Sequence, residues 1–203
     1  MRVDAHIFRK YDIRGVADRD LTTPLVTALG RAYGTVIRRA GGQRVAVGRD
    51  VRTSGPRLFE AFTGGIRATG VHVVDVGVVP TPLVYFAAHT LAVDGAVAIT
   101  GSHNPGDWNG FKLGQGKGSL YGDAIQHLRQ LIEAEDFEHG EAGLEAVDLY
   151  PSYLAWVGER VRLGERPIKV VVDAGNGTGG LVGPALYRAL GAEVVELFCE
   201  PDG

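Results

Sequence analysis

Short apolar runs alternate with helical segments along the first part of this chain, and that alternation restricts the fold more than any other feature. The runs at 45–47, 71–76 and 95–99 have the length of buried strands and are followed by Gly-containing turns. Helices are predicted between them, at about 56–68 and from 80 to 89. Strands separated by helices of this length imply right-handed crossovers. We therefore predict an α/β fold with a mixed, mostly parallel sheet sandwiched by helices.

The same pattern restarts near residue 150. The predicted elements are a linking helix at 151–162, a strand at 169–173, a glycine loop at 175–180, a helix at 181–190 and a strand at 192–198. Residues 68–74 resemble residues 189–195, which suggests a duplicated unit. We therefore divide the chain into a domain at 1–149 and, at 150–203, a linking helix with the first βαβ unit of a similar second domain.

Three segments before the second unit do not follow the strand–helix alternation of the earlier residues. Residues 113–121 are rich in Gly and predict a loop or a hairpin. Residues 123–134 have apolar side chains at helical spacing. Residues 133–148 are acidic and weakly periodic, so no element is predicted there.

The second unit contains a single crossover, which leaves a two-stranded sheet with at least one apolar face that nothing else in the chain covers. We expect from this that the chain is a shortened form of a longer protein. Self-association through the uncovered face is one consequence to test. The sequence does not otherwise determine the oligomeric state.

Composition favours a protein that acts on small molecules in the cytoplasm. The chain has 203 residues, 45% of them hydrophobic, and a net charge of −3. Its Lys and Arg residues are scattered, which argues against nucleic acid or a membrane surface as partner. The single cysteine cannot form an internal disulfide, and residues 1–10 lack the apolar core of a secretory signal. No apolar run approaches the roughly 20 residues that span a bilayer.

Ser102 is the candidate reactive residue. It lies in the sequence TGSHNP at 100–105, directly after the strand predicted at 95–99. Reacting groups and ligands of α/β proteins gather where parallel strands end. A serine in such a turn is more often structural, so the assignment depends on its companions.

Four separate motifs supply those companions. They are FRKYDIRG at 8–15, GRDVRTSG at 48–55, TGSHNP at 100–105 with NGFK at 109–112, and VVDAGNG at 171–177. In this order they resemble the α-D-phosphohexomutase superfamily over nearly the whole chain. Tyr11 and Gly101 resemble the phosphomannomutase/phosphoglucomutase branch. The resemblance covers the first domain and the start of the second.

This resemblance implies an enzyme that interconverts hexose 1-phosphates and 6-phosphates of mannose, glucose or both. In the family the serine carries a phosphoryl group, gives it to the sugar and recovers the other phosphate from a hexose 1,6-bisphosphate, which also serves as activator. Mg²⁺ is the implied cofactor, with an oxygen of phosphorylated Ser102 as one ligand. The family's other metal ligands and its sugar-selecting loop belong to segments that would follow Gly203. We therefore expect little or no mutase turnover from residues 1–203 alone.

The resemblance also assigns roles to individual residues. Ser102 is the phosphoryl carrier. Arg14 and Lys112 match family positions beside it and are assigned to catalysis and substrate binding, Arg14 for phosphate charge and Lys112 for proton transfer. His103 is assigned to orienting the phosphoryl group or donating to it, and the alternative is a satisfied loop histidine. Tyr11 is assigned to the substrate edge of the site.

Other polar residues of the motifs are predicted to be structural. Arg49 and Asp50 follow a strand and are interpreted as an internal ion pair that holds a loop. Ser54 precedes the helix predicted from Pro56 and is interpreted as its cap.

Two alternatives from other functional classes remain. Gly175, Gly177 and Gly180 satisfy G-x-G-x-x-G after a strand, with Glu196 or Glu200 about twenty residues on, which is the pattern of an NAD-binding module. That interpretation does not account for the serine loop. The other alternative is a fragment that binds a ligand without turning it over.

Overall fold

The computed structural model describes residue 1 and residues 3–203, and among these residues it contains six α-helices and nine β-strands. The strands are β1 (Ile13–Val16), β2 (Arg44–Arg49), β3 (His72–Val78), β4 (Ala96–Ile99), β5 (Trp108–Gln115), β6 (Gly118–Ser119), β7 (Leu144–Ala146), β8 (Lys169–Asp173) and β9 (Glu193–Leu197). The helices are α1 (Thr23–Arg39), α2 (Gly55–Arg67), α3 (Thr81–Thr90), α4 (Asp123–Ala134), α5 (Tyr150–Arg160) and α6 (Gly179–Ala189).

The first seven strands form one mixed, mostly parallel sheet, as the sequence predicts. Its order is β1-β5-β4-β2-β3-β7, with β6 paired to the end of β5. Strands β4, β2, β3 and β7 run parallel, whereas β5 is antiparallel to both of its neighbours. The carboxyl ends of β2 and β4 therefore meet at one edge, and the loops that follow them lie side by side.

Helices cover both faces of this sheet because the strands alternate their side chains between two cores. Val45 and Val47 pack in the core beneath α1, α2 and α4, while Ala46 packs on the opposite face. That second core contains side chains of α3, α5 and α6, such as Leu83, Leu154 and Val182. A strand that is buried on both faces reads as a continuous apolar run, which is why β2, β3 and β4 are recognisable from sequence.

The predicted strands and helices of the first domain lie where the sequence places them, within a few residues. Residues 113–121 contain the β5–β6 hairpin, which was one of the two predicted outcomes. Three elements, β1, α1 and β7, have no counterpart in the prediction, and neither does the first part of β5, residues 108–112. Of these, β7 falls in the acidic segment 133–148 and pairs in parallel with β3.

The second unit consists of α5, a two-stranded parallel sheet of β8 and β9, and α6 between them. Its outward face includes exposed Val171 and Phe198. Self-association through this face stays a prediction, as does the domain boundary at residue 149. No helix in the part of the chain described is long and apolar enough to span a membrane.

Candidate active site

Ser102 lies at the edge of the sheet where β2 and β4 end, and it faces a pocket of about 480 Å³. The loop after β2 contributes Asp50 and Arg52 to the pocket walls. The first turn of α3 and residues 175–178 of the second unit close the other side. The pocket is therefore built from three loops of the first domain and two segments of the second unit, residues 175–178 and 202–203.

The backbone of Ser102 adopts a left-handed conformation, with φ of +55°. Such a conformation costs a non-glycine residue on the order of 1–3 kcal/mol and persists only where neighbouring contacts enforce it. One contact is local, because the Ser102 N–H donates to Thr100 Oγ1 at 2.9 Å. The hydroxyl Oγ lies 3.3 Å from His103 Nδ1, so the imidazole is within reach of the reacting oxygen.

Arg14 ties the first motif to the serine loop. Its side chain is 8% exposed, and Nη1 donates to the carbonyl of Gly101 at 3.0 Å while Nη2 donates to Asp12 Oδ2 at 2.5 Å. Its Nε has no hydrogen-bond partner among the described residues. The positive charge of Arg14 thus lies directly beneath the residue that precedes Ser102.

Lys112 and Tyr11 line a neighbouring cavity of about 200 Å³ instead of the Ser102 pocket. Lys112 lies on β5, and its Nζ is 3.8 Å from Asp12 Oδ2. Asp12, for which the sequence predicts no role, therefore connects the two cations assigned to the site. Tyr85 and Tyr121 complete the aromatic wall of this second cavity.

Arg49 and Asp50 do not pair with each other, so the predicted ion pair is wrong. Arg49 pairs with Asp75 on β3 at 3.1 Å, and Asp50 pairs with Arg52 at 3.2 Å. The reason is that consecutive residues at a strand end point in opposite directions. Asp50 still holds a loop, because its Oδ2 accepts the N–H of Gly101 at 3.0 Å.

Ser54 precedes α2 but does not cap it, so this prediction is also wrong. Its backbone is already helical, with φ of −74° and ψ of −16°, and its side chain makes no capping hydrogen bond. The hydroxyl instead accepts from Asn109 Nδ2 at 2.9 Å. Asn109 is fully buried, so the second motif and the strand after the serine loop are joined in the interior.

Comparison with known proteins identifies the relationship. The family model described as phosphoglucomutase/phosphomannomutase, alpha/beta/alpha domain I, matches residues 5–139. The chain belongs to the phosphoglucomutase/phosphomannomutase family. This agrees with the resemblance carried by the four motifs.

Relatives extend the similarity into the second unit. A phosphomannomutase/phosphoglucomutase of Pseudomonas aeruginosa is 45% identical over 199 residues, which cover 98% of this chain and 43% of the relative. A phosphoglucomutase of Neisseria meningitidis serogroup B is 42% identical, with 97% of this chain and 43% of the relative covered. The crystal structure of a phosphoglucomutase/phosphomannomutase family protein from Burkholderia thailandensis superposes with a TM-score of 0.95 at 44% identity, covering 99% of this chain and 45% of that one. The chain thus spans less than half the length of these family members.

The glycine loop of the second unit faces the same pocket as Ser102. Gly175 and Asn176 both have positive φ, and the loop leads into α6. A Cβ at Gly180 would lie closer than 3.0 Å to the carbonyl oxygen of Cys199, so this glycine permits the start of α6 to pack closely on the segment after β9. Glu196, a candidate ribose ligand in the NAD interpretation, is bonded to Arg188 at 2.5 Å. Family membership favours the phosphohexomutase interpretation over the NAD-binding one.

The family implies Mg²⁺, and the described side chains do not by themselves form a site for it. Within residues 1 and 3–203, no three His, Cys, Asp or Glu side chains are grouped so that they could hold a metal ion. The carboxylate of Asp50, in the loop after β2, is engaged by Arg52 and Gly101.

Proposed function

We propose that Ser102 is the phosphoryl carrier of an enzyme that interconverts hexose 1-phosphates and hexose 6-phosphates. The observation that carries the proposal is the convergence of the four motifs. Arg14 and Arg52 donate to carbonyl oxygens of the Ser102 loop, Gly110 accepts the N–H of Thr100 at 2.9 Å, and residues 175–178 line the pocket. Family membership supports the same function, and the substrate class is a phosphorylated glucose, mannose or both.

In the proposed reaction, the bond between phosphorus and Ser102 Oγ breaks as a hydroxyl of the hexose monophosphate attacks. The sugar thereby becomes a 1,6-bisphosphate, and its hydroxyl proton passes to a protein base. Ser102 Oγ takes up a proton as it leaves. In the second step Ser102 Oγ gives up that proton and attacks the other phosphoryl group, and the protonated base returns its proton to the sugar oxygen that is released. A bisphosphate added from solution would load Ser102 in the same way, which explains the proposed activator. When bound, Mg²⁺ would neutralise charge on the phosphoryl oxygens.

The protein groups around Ser102 fit the proposed roles as follows. His103 Nδ1, at 3.3 Å from Oγ, can exchange a hydrogen bond with the reacting oxygen. Arg14 places a permanent positive charge under the loop through its bond to Gly101. We assign proton transfer on the sugar side to Lys112, whose ammonium stands in the adjoining cavity with Tyr11 at the substrate edge.

Phosphorylation of Ser102 tests this proposal. The chain is incubated with ³²P-labelled glucose 1,6-bisphosphate and Mg²⁺, and the labelled peptide is located by mass spectrometry. We expect one phosphate on Ser102, and no label in Ser102→Ala. Ser152→Ala is the matched control, because Ser152 lies on α5 with its hydroxyl donating to the carbonyl of Leu149, and it should label like the natural chain. Label on Ser54, or no label at all, would contradict the proposal.

A further inference from the structure

Arg52 lies against the loop that presents Ser102, and that loop occupies most of its hydrogen-bonding capacity. A guanidinium has five N–H donors and no acceptor. Nε donates to Asp50 Oδ2 at 3.2 Å. The other four donors go to carbonyl oxygens of the serine loop and of the first residue of β5. Nη1 donates to Pro105 and Trp108, and Nη2 donates to Ser102 and Asn104. No donor of Arg52 is left for a phosphate.

Asp50 holds both the arginine and the loop. Its Oδ1 accepts the backbone N–H of Arg52 at 3.1 Å, and its Oδ2 accepts the N–H of Gly101 at 3.0 Å. The two side chains are 13% and 12% exposed, so water competes little for these bonds. Hydrogen bonds to charged groups are stronger than neutral ones. Here Asp50 binds the backbone before Ser102, at Gly101, and Arg52 binds the backbone after it, at Asn104.

Gly101 shows how closely the guanidinium approaches. A Cβ added at this position would lie nearer than 3.0 Å to Cζ, Nε and Nη1 of Arg52. The guanidinium therefore occupies the space that a side chain at residue 101 would take, so any such side chain would displace it. The next residue is Ser102 with its left-handed φ, a conformation that requires enforcement by its surroundings.

We propose that Arg52, held by Asp50, is a positioning residue that fixes the Ser102 hydroxyl for phosphoryl transfer without contacting the phosphoryl group. This inference rests on the proposed function of Ser102. A phosphate-binding arginine would keep donors free, whereas those of Arg52 are directed to the loop backbone and to Asp50. Lysine cannot replace it, because an ammonium has three donors and no planar fork.

The consequence is a change in rate rather than in affinity. Misplacement of a reacting group by about 1 Å can cost on the order of a hundredfold in rate. We expect Arg52→Lys to lower the limiting rate of Ser102 phosphorylation by glucose 1,6-bisphosphate by about tenfold to a hundredfold. The bisphosphate concentration at half the limiting rate should stay within about twofold, since no phosphate contact is lost.

Single-turnover phosphorylation, followed by intact mass over a range of glucose 1,6-bisphosphate concentrations, measures both quantities. Arg57→Lys is the matched control. Arg57 is also partly buried and donates to two backbone carbonyls, those of Leu21 and Ala17, but neither belongs to the serine loop. The control should keep the natural limiting rate. An unchanged rate in Arg52→Lys would overturn the inference, as would a higher half-saturating concentration at an unchanged limiting rate.

Amide hydrogen exchange separates this inference from the proposed function. Arg52→Lys should raise exchange in residues 101–108 and leave β2 and β4 protected, whereas Arg57→Lys should leave residues 101–108 unchanged. If the natural chain takes no phosphate on Ser102, the proposed function is wrong, and exchange alone then decides whether Arg52 positions the loop. Unchanged exchange at residues 101–108 would refute the positioning role.

Discussion

Asp20 holds the turn that follows β1 and makes the stability of this region depend on acid. Its carboxylate accepts hydrogen bonds from Arg19 and from the N–H of Val16, the latter at 2.8 Å. The hydrogen bond from Arg19 contributes most, and with the Val16 bond it outweighs the opposing effect of burial and lowers the pKa of Asp20 from 3.8 to about 2. A carboxyl whose pKa is lower in the folded state stabilises that state above the unfolded pKa. This contribution is lost as the pH falls from about 4 toward 2.

We therefore expect Asp20→Asn to remove part of the acid dependence of the free energy of unfolding. Urea denaturation at about pH 6 and about pH 3 measures it, and the difference between the two conditions should be smaller in the variant. Asp18→Asn is the control, because Asp18 shares the turn but its side chain is 93% exposed. Equal acid dependence in Asp20→Asn and the natural chain would show that the turn does not depend on this carboxylate.

At the scale of single residues, the sequence predicts where Ser102 lies but not what holds it. A buried strand followed by a Gly- and Pro-containing loop is a local pattern, so Ser102 is found by reading along the chain. Arg52 acts on carbonyls about 50 positions away. Because every residue has a backbone carbonyl, the sequence does not indicate which carbonyls Arg52 binds. Only the fold brings Arg52 to the serine loop.

Among the elements, α1 and α2 cross at glycines, and the crossing makes a paired prediction. A Cβ at Gly65 would lie closer than 3.0 Å to the backbone of Thr27 and Arg31, whereas a Cβ at Gly64 would meet nothing within 4 Å. Overpacking a close contact costs about 1–3 kcal/mol. Replacing an unhindered helical glycine by alanine stabilises by roughly 0.5–1 kcal/mol.

Urea denaturation of Gly65→Ala and Gly64→Ala should therefore give changes of opposite sign in the free energy of unfolding. Gly65→Ala should lower it, since the backbone of α1 cannot move aside as a flexible side chain could. The two substitutions have the same chemistry and adjacent positions on one helix. If both substitutions raised the free energy of unfolding equally, α1 and α2 could move apart at residue 65 with little loss of stability.

Two elements that the sequence pattern does not predict, α1 and β5, share a physical cause. Helix α1 contains Gly30 and Gly34, which weaken its intrinsic helical signal, and its stability comes from packing on α2. Strand β5 contains Gly110 and Gly114, where close backbone approach leaves no room for a side chain. In both elements the glycines permit tight packing, and the same glycines weaken the local sequence pattern from which the helix or strand would be predicted.

At the scale of the whole molecule, the Ser102 pocket depends on how the second unit sits on the first domain. The two are joined by Tyr150, whose hydroxyl donates to the Val78 carbonyl at 2.9 Å, and by an aromatic cluster. In that cluster Phe86 of α3 makes edge contacts with Tyr153 and Trp156 of α5, with ring centroids 5.3 and 5.9 Å apart. Repeated βαβ units could be predicted from sequence, but this contact could not, because the aromatic spacing on α5 does not identify its partner helix.

Phe86→Ala should loosen the second unit and leave the first domain intact. Loss of a partly buried aromatic cluster costs about 1–3 kcal/mol, and here the cost falls on the contact between α3 and α5. Hydrogen exchange should therefore rise in α5, α6 and residues 175–178, while β2 and β4 keep their protection. Tyr85→Ala is the matched control, because Tyr85 is the neighbouring aromatic on α3 but lines the Lys112 cavity. If hydrogen exchange rises equally in both units of the Phe86→Ala variant, the two units unfold together. The pocket wall formed by residues 175–178 would then be as stable as the sheet that presents Ser102.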